Sequence, residues 1–210
     1  EILTELLNIF KNKLNIIIGA SDKTFPNQSD IRYGSSRTLE EKNKYKKLIN
    51  QPNIKKVYIE NYDEYLSPKC VSMPHGININ TGSRFMDNKY VDLYDVGIKF
   101  NFYNKYYKEI NNKPLKFTSF NRIRDGKGQW KLRNDVDKLC NTKWNKMFVK
   151  TGWQVDWLEF LEILSENAFT LCVSGGGIQP CPKLYFAILV GTIPIIKYNP
   201  PQTDAYMDLP

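Results

Sequence analysis

A loop of small residues follows an apolar stretch near the end of the chain, and the main-chain N–H groups of such a loop could bind a phosphate group. The stretch Phe169–Val173 has the length and composition of a buried strand. The next residues cannot continue a strand but let main-chain N–H groups approach a ligand closely. They are Ser174, Gly175, Gly176 and Gly177. Because the loop has neither a GxGxxG nor a Walker pattern, an ordinary tight turn has at least equal weight.

A second candidate site for an anion follows the predicted strand Leu115–Phe120. Its loop is rich in basic side chains and leads into a predicted helix, whose first N–H groups favour a negative charge. The candidate anion-binding residues of this loop are Arg122 and Arg124, with Lys127 and Arg133 behind them. The alternative is a solvated basic turn.

Two side chains could act as a general base that takes a proton from an attacking hydroxyl. Asp22 comes shortly after Leu14–Ile18, a predicted buried parallel strand, and loops in this position often hold ligands in α/β sheets. Its alternative role is to cap a helix. His75 is the only histidine, and histidine side chains ordinarily titrate near neutrality. A structural role for His75 has about equal weight, and Asp22 is the preferred base.

Strands that end at a common sheet edge would bring these residues together. The predicted strands are Leu14–Ile18, Ile54–Glu60, Leu115–Phe120, Lys146–Val149, Phe169–Val173 and Thr192–Ile196. Helical patterns accompany them: Glu1–Lys11, Leu39–Asn50, a segment ending near Leu139, one capped by Asp156, and one running from Pro182 to Gly191. In the last of these, Leu184, Ala187 and Ile188 fall on one apolar face. Alternating strands and helices predict an α/β fold with parallel sheets.

The segment from Ser174 to Ile196 resembles the donor-binding segment of exostosin-like nucleotide-sugar glycosyltransferases of the GT-B fold. The resemblance rests on the small-residue loop, the basic Lys183, the Leu-Tyr-x-Ala-Ile string that contains Tyr185, and Gly-x-Ile-Pro-Ile-Ile. It covers about the last third of the chain. In addition, Val71–Ile77 resembles a Pro-x-Gly loop that faces the inter-domain cleft in these enzymes.

The resemblance implies two small Rossmann-like halves, residues 1–95 and 96–210, that face a central cleft. In the family, the glycine loop faces the donor phosphates, a basic residue at the position of Lys183 neutralises them, and the Asn121–Lys127 loop lies near the diphosphate. Tyr185 is carried over as a donor-binding residue. An acidic residue that commonly holds the donor ribose is replaced here by Phe186.

The implied activity is transfer of a sugar from a UDP- or GDP-sugar to a hydroxyl of a glycan or glycoprotein. An inverting enzyme would need the general base, whereas a retaining enzyme would not, and the sequence leaves both open. Fixed cations can stabilise the leaving diphosphate, so no metal or other cofactor is expected. Asp135-Val136-Asp137 has the spacing of a metal-binding DxD motif but falls in a predicted helix. The net charge of +8 also suits a non-catalytic nucleic-acid or polyanion-binding module, although no nucleic-acid motif is present. A degenerate domain that binds sugar nucleotides without turnover is a third hypothesis.

The sequence predicts a cytoplasmic protein without a membrane span. No apolar stretch has the length of a membrane helix, and no signal peptide is visible. The cysteines are widely spaced, which favours free thiols in a reducing compartment over a zinc site; they are Cys70, Cys140, Cys172 and Cys181. The chain also looks similar to glycosyltransferases of large DNA viruses, which would place it in the host cytoplasm.

Overall fold

The computed structural model describes residues 9, 12–19, 23–29, 36–76, 103–151, 155–175 and 180–207. These residues divide into two compact units. The first unit takes its described residues from Glu1–His75, Gly175–Gln179 and Tyr198–Pro210, and the second takes its own from Gly76–Ser174 and Pro180–Lys197. The predicted boundary between residues 95 and 96 lies outside the described residues, whereas the segment from Tyr198 onwards groups with the first unit.

The first unit contains a three-stranded parallel sheet. Its strands are β1 (Leu14–Ile18), β2 (Ile54–Ile59) and β3 (Cys70–Ser72), in the order β1-β2-β3. Helix α1 (Leu39–Ile49) connects β1 to β2 and begins at a capping box formed by Thr38 and Glu41. A 3-10 turn, Thr203–Tyr206, also belongs to this unit. The core consists of Phe25, Ile49, Ile54, Val57, Ile59, Tyr62 and Leu66.

The prediction that Leu14–Ile18 is a buried strand is wrong, although its bounds and parallel pairing are correct. Burial alternates along β1, and Ile17 is 69% exposed. Because β1 is the first strand in the sheet order, it pairs with one described neighbour only, β2. Its side chains alternate between a core-facing and an exposed row, which is the usual pattern of a half-buried strand.

The second unit contains a four-stranded parallel sheet. Its strands are β4 (Phe117–Thr118), β5 (Phe148–Val149), β6 (Phe169–Leu171) and β7 (Ile193–Ile195), in the order β5-β4-β6-β7. Helices follow three of the strands in the chain: α2 (Gln129–Asn141) after β4, α3 (Trp157–Ser165) after β5, and α4 (Lys183–Leu189) after β6. A 3-10 turn, Ile110–Asn112, precedes β4. Parallel strands need such crossover connections, so the helices follow from the sheet topology.

Helices α3 and α4 pack together on the core of the second unit. Asp156 begins α3, and its carboxylate accepts a hydrogen bond from the N–H of Glu159 at 2.9 Å, as the cap pattern predicted. The core includes Tyr103, Phe160, Leu161, Leu164, Phe186 and Val190. On the predicted apolar face of α4, Leu184 and Ala187 are buried, whereas Ile188 is 37% exposed. Phe186, which the pattern did not place on this face, is also buried.

The α/β class and the two parallel sheets are confirmed, and the fold is compatible with two Rossmann-like halves. Within the ranges that the structure describes, no helix has both the length and the apolar character needed to cross a membrane. Because the strands of each sheet are parallel, their carboxyl ends lie at one edge, and the candidate functional residues that follow them meet there.

Candidate functional site

The carboxyl ends of β4 and β6 lie side by side in the second unit. These strands pair in parallel, with Thr118 opposite Thr170, and the two hydroxyl oxygens are 2.9 Å apart. The loops that follow the strands, residues 119–128 and 172–175, therefore leave the sheet at one edge, which we call the β4/β6 edge. In open parallel sheets this is the edge that commonly binds ligands.

The ammonium group of Lys183 bonds to residues at the β4/β6 edge. Its Nζ donates hydrogen bonds to the carbonyl oxygen of Phe120 at 2.8 Å, to Asn121 Oδ1 at 3.2 Å and to the carbonyl oxygen of Leu171 at 3.5 Å. Lys183 is 8% exposed, and burial is the main cause that lowers its pKa. The side chain therefore joins the ends of β4 and β6 and places a positive charge at this edge. Its predicted contact with donor phosphates stays a prediction.

Arg124, Trp130 and Arg133 form a basic–aromatic cluster beside the same edge. The guanidinium carbons of Arg124 and Arg133 lie 5.4 Å and 5.3 Å from the centroid of the Trp130 ring, within the range of cation–π attraction. Arg133 Nε donates to the carbonyl oxygen of Ser174 at 3.4 Å, which joins α2 to the loop after β6. The charge of Arg133 also contributes to the lowered pKa of Lys183, so the two cations are electrostatically coupled.

The start of α2 adds further positive potential. Gly128 precedes the helix with a φ of 63°, the first turn contains no acidic residue, and within the described part of the chain no side chain caps it. The first N–H groups of a helix lack intrahelical partners and carry the positive end of the helix dipole. Asn134 Nδ2 donates to the carbonyl oxygen of Arg124 at 3.0 Å, which fastens the loop to the helix.

The predicted donor-binding residues occupy different environments. Arg122, Arg124 and Lys127 are exposed, whereas Asn121 is buried and donates from Nδ2 to Ser119 Oγ at 2.6 Å. Tyr185 Oη accepts a hydrogen bond from the N–H of Gly76 at 2.9 Å. Ser174 and Gly175 are partly exposed, and Gly176 and Gly177 lie outside the described residues.

The sheet of the first unit carries a separate group of functional side chains at its own carboxyl edge. Glu60 directly follows β2, and its Oε2 lies 3.4 Å from Nδ1 of His75, which follows β3. The side chains of Glu60 and His75 are 13% and 25% exposed. The sequence interpretation did not single out Glu60, although a carboxylate at the end of a predicted parallel strand is a usable signal. Asp22, the preferred base, lies outside the described residues.

A metal centre has no support in the described part of the chain, where no three His, Cys, Asp or Glu side chains converge. Asp135 and Asp137 both lie on α2, and Asp135 pairs with Lys131 one turn earlier. All four cysteines are free thiols. Burial is the main cause that raises the pKa of Cys140 to about 11 and that of Cys172 to about 12, so neither thiol is activated as a nucleophile.

The charges at the β4/β6 edge can hold an anionic group such as a phosphate. Two guanidinium groups, a buried ammonium and the N–H groups of a helix start lie along this edge. In comparisons with protein-family models and with curated proteins, the chain had no match. The geometry and charge of the described residues therefore carry the functional assignment.

Proposed function

We propose that the chain is a glycosyltransferase that moves a sugar from a nucleoside-diphosphate donor to an acceptor hydroxyl of a glycan or glycoprotein. The observation that carries the proposal is the convergence of Lys183, Arg133 and the uncapped start of α2 at the β4/β6 edge. The leaving diphosphate develops negative charge at its bridging oxygen. Fixed cations and N–H donors stabilise that charge without a metal ion.

The resemblance to exostosin-like glycosyltransferases adds the donor class, a UDP- or GDP-sugar, and the GT-B arrangement with its central cleft. Phe186 limits this likeness. Its ring lies 4.6 Å from that of Trp157, edge to face, and belongs to the core of the second unit. The position that commonly binds the donor ribose therefore packs the core here, and another group must recognise the sugar ring of the nucleotide. We propose a cytoplasmic location, in the host cell if the chain is viral.

Polyanion binding is the second candidate function, and one observation favours it. Arg122, Arg124 and Lys127 are exposed on one loop, and the Trp130 ring lies beside Arg124. Basic side chains that neutralise nucleic-acid phosphates give an affinity that falls steeply with salt, and an aromatic ring can stack on a base. A protein with this function would not need to bind free nucleotides.

A nucleotide-binding measurement with substituted α2 residues tests the proposal. We expect UDP or GDP to raise the melting temperature of the protein in the presence of a chelator. Arg133→Gln is expected to weaken nucleotide affinity about 10- to 100-fold, because a hydrogen bond to a charged group contributes about 1.5–3 kcal/mol. Isothermal titration calorimetry measures the change.

Lys131→Gln is the matched control, because it removes one positive charge from the same helix. The Lys131 ammonium pairs with Asp135 and is 72% exposed, so the nucleotide affinity of this variant should stay within twofold of wild type. Equal losses in both variants would indicate a general charge effect, and no loss in Arg133→Gln would exclude the β4/β6 edge as the donor site. Binding of DNA or RNA without any nucleotide response would favour the polyanion-binding function.

A further inference from the structure

Glu60 and His75 form a carboxylate–imidazole pair in the first unit, and we infer that Glu60 orients His75 as the general base of sugar transfer. The inference rests on the proposed glycosyltransferase function, and it assigns the base to His75 rather than to Asp22. His75 is the catalytic residue in this proposal, and Glu60 is a positioning residue.

Backbone hydrogen bonds fix both partners relative to the sheet. The N–H of Glu60 donates to the carbonyl oxygen of Ile18 at 2.9 Å, so the β1–β2 ladder continues past the end of β2. The N–H of Met73 donates to the carbonyl oxygen of Ile59 at 2.9 Å and extends the β2–β3 ladder in the same way. His75 is only two residues further on. The separation of 3.4 Å between Glu60 Oε2 and His75 Nδ1 is therefore held by the sheet.

Gly19 leaves the space that the Glu60 carboxylate occupies. A Cβ atom at Gly19 would lie 3.1 Å from both Cδ and Oε2 of Glu60, which is closer than ordinary van der Waals contact. Gly19 has no positive φ, so its small size matters here and not its conformational freedom. Any side chain at this position would push the carboxylate away from its present place. Gly19, which follows β1, therefore leaves room for Glu60, which follows β2, to pair with His75, which follows β3.

The pair has the chemistry that a general base requires. A neutral imidazole has one N–H donor and one acceptor nitrogen, and a carboxylate facing Nδ1 selects the tautomer with the proton on Nδ1. Nε2 is then the nitrogen that accepts a proton. As the acceptor oxygen bonds to the anomeric carbon, its proton passes to Nε2. The bond from that carbon to the diphosphate breaks, and its electron pair leaves with the diphosphate. The Glu60 carboxylate stabilises the imidazolium that forms.

Nitrogen-15 NMR of the imidazole tests the pair without any assay of activity. The chain has one histidine, so the side-chain signals belong to His75. We expect neutral His75 to carry its proton on Nδ1 in the wild type and in Glu60→Gln, whose amide oxygen can still accept. In Glu60→Leu the proton should move to Nε2, the preferred position in free histidine. A wild type with the proton on Nε2, or no change in Glu60→Leu, would overturn the inference.

Glu64→Gln is the matched control for the loss of a carboxylate. Glu64 lies in the same unit, is 46% exposed and pairs with Lys42 at 3.0 Å, so its substitution should leave the His75 signals unchanged. Gly19→Ala is a milder second variant that keeps both partners. It should increase the fraction of His75 with its proton on Nε2, because it displaces the carboxylate.

Kinetics then tests the role of the pair in catalysis. With the UDP- or GDP-sugar that binds most tightly, His75→Gln should lower kcat about 10²- to 10⁴-fold, the usual contribution of a general base, with donor affinity within twofold. Glu60→Leu should lower kcat about 10- to 100-fold, and Glu60→Gln should lower it less. Undiminished turnover in His75→Gln would overturn the assignment of the base. If the wild type used no sugar nucleotide, the proposed function and the base role would both fail, whereas the NMR spectra would still decide the Glu60–His75 pairing.

Discussion

Replacing Gly191 by alanine is expected to lower the free energy of unfolding by about 2–4 kcal/mol. Gly191 comes two residues after the end of α4 and has a φ of 71°, a left-handed conformation that costs other residues about 1 kcal/mol. A Cβ atom there would lie 2.3 Å from the carbonyl oxygen of Lys108 and 3.0 Å from Cε2 of Tyr107. A backbone oxygen cannot rotate away, so the chain at Lys108 or at Gly191 must move.

Urea unfolding of Gly191→Ala and Gly76→Ala separates the two causes of this loss of stability, the left-handed backbone conformation and the clash of the new Cβ atom. Gly76 has nearly the same φ, 72°, but no atom of the described residues lies within 4 Å of the Cβ position. Gly76→Ala should therefore lower the free energy of unfolding only by the cost of the left-handed conformation, about 1 kcal/mol. Equal losses in the two variants would show that the segment around Lys108 moves aside at no cost, and the expected clash would then be wrong.

The sequence predicted the secondary structure well where local patterns determine it. Leu14–Ile18 is a strand with the predicted bounds, and the cap at Asp156 begins α3 as expected. These features depend on residues within a few positions of one another, such as Asp156 and Glu159. The predicted end of α4 was also correct, because Gly191 is a residue that can adopt the left-handed conformation after a helix.

The candidate sites depend on pairs that local patterns do not specify. The contact of Lys183 with phosphate stays a prediction, but the sequence did not indicate that its ammonium donates to the carbonyl oxygen of Phe120, which is 63 residues away in the chain. The only sequence signal for this contact was that both residues flank predicted parallel strands. Trp130 was not singled out either, because its role depends on Arg124 and Arg133 approaching the same ring. Ser72 Oγ donates to the carbonyl oxygen of Gln202, which lies 130 residues further along the chain. No local pattern indicates such a contact, so the sequence did not predict that residues 198–207 group with the first unit.

A buried lysine gives the second unit a pH-dependent stability. Lys113 is 7% exposed, and its Nζ donates to the carbonyl oxygens of Val190 and Gly191 at 2.9 Å and 2.7 Å and to Thr192 Oγ1 at 2.9 Å. Burial is the main cause that lowers its pKa from 10.5 to about 8, and the charge of Lys108 contributes. Between these two pH values the unfolded chain binds more protons at this site than the folded protein does. The free energy of unfolding therefore rises with pH across this range.

Lys113→Met is expected to remove that rise. A pKa lowering of this size corresponds to about 3 kcal/mol in the free energy of unfolding between pH 8 and pH 10.5. The stability of the wild type relative to the variant should therefore increase by this amount as the pH rises. The raised pKa values of Cys140 and Cys172 act in the opposite direction above pH 9, but both proteins contain these thiols and their effect cancels in the difference. Urea unfolding at several pH values measures that difference, with the exposed Lys116→Met as a control for the lost charge. A difference that stays constant from pH 8 to pH 10.5 would show that the Lys113 ammonium keeps its proton in the folded protein, and that its three hydrogen bonds outweigh its desolvation.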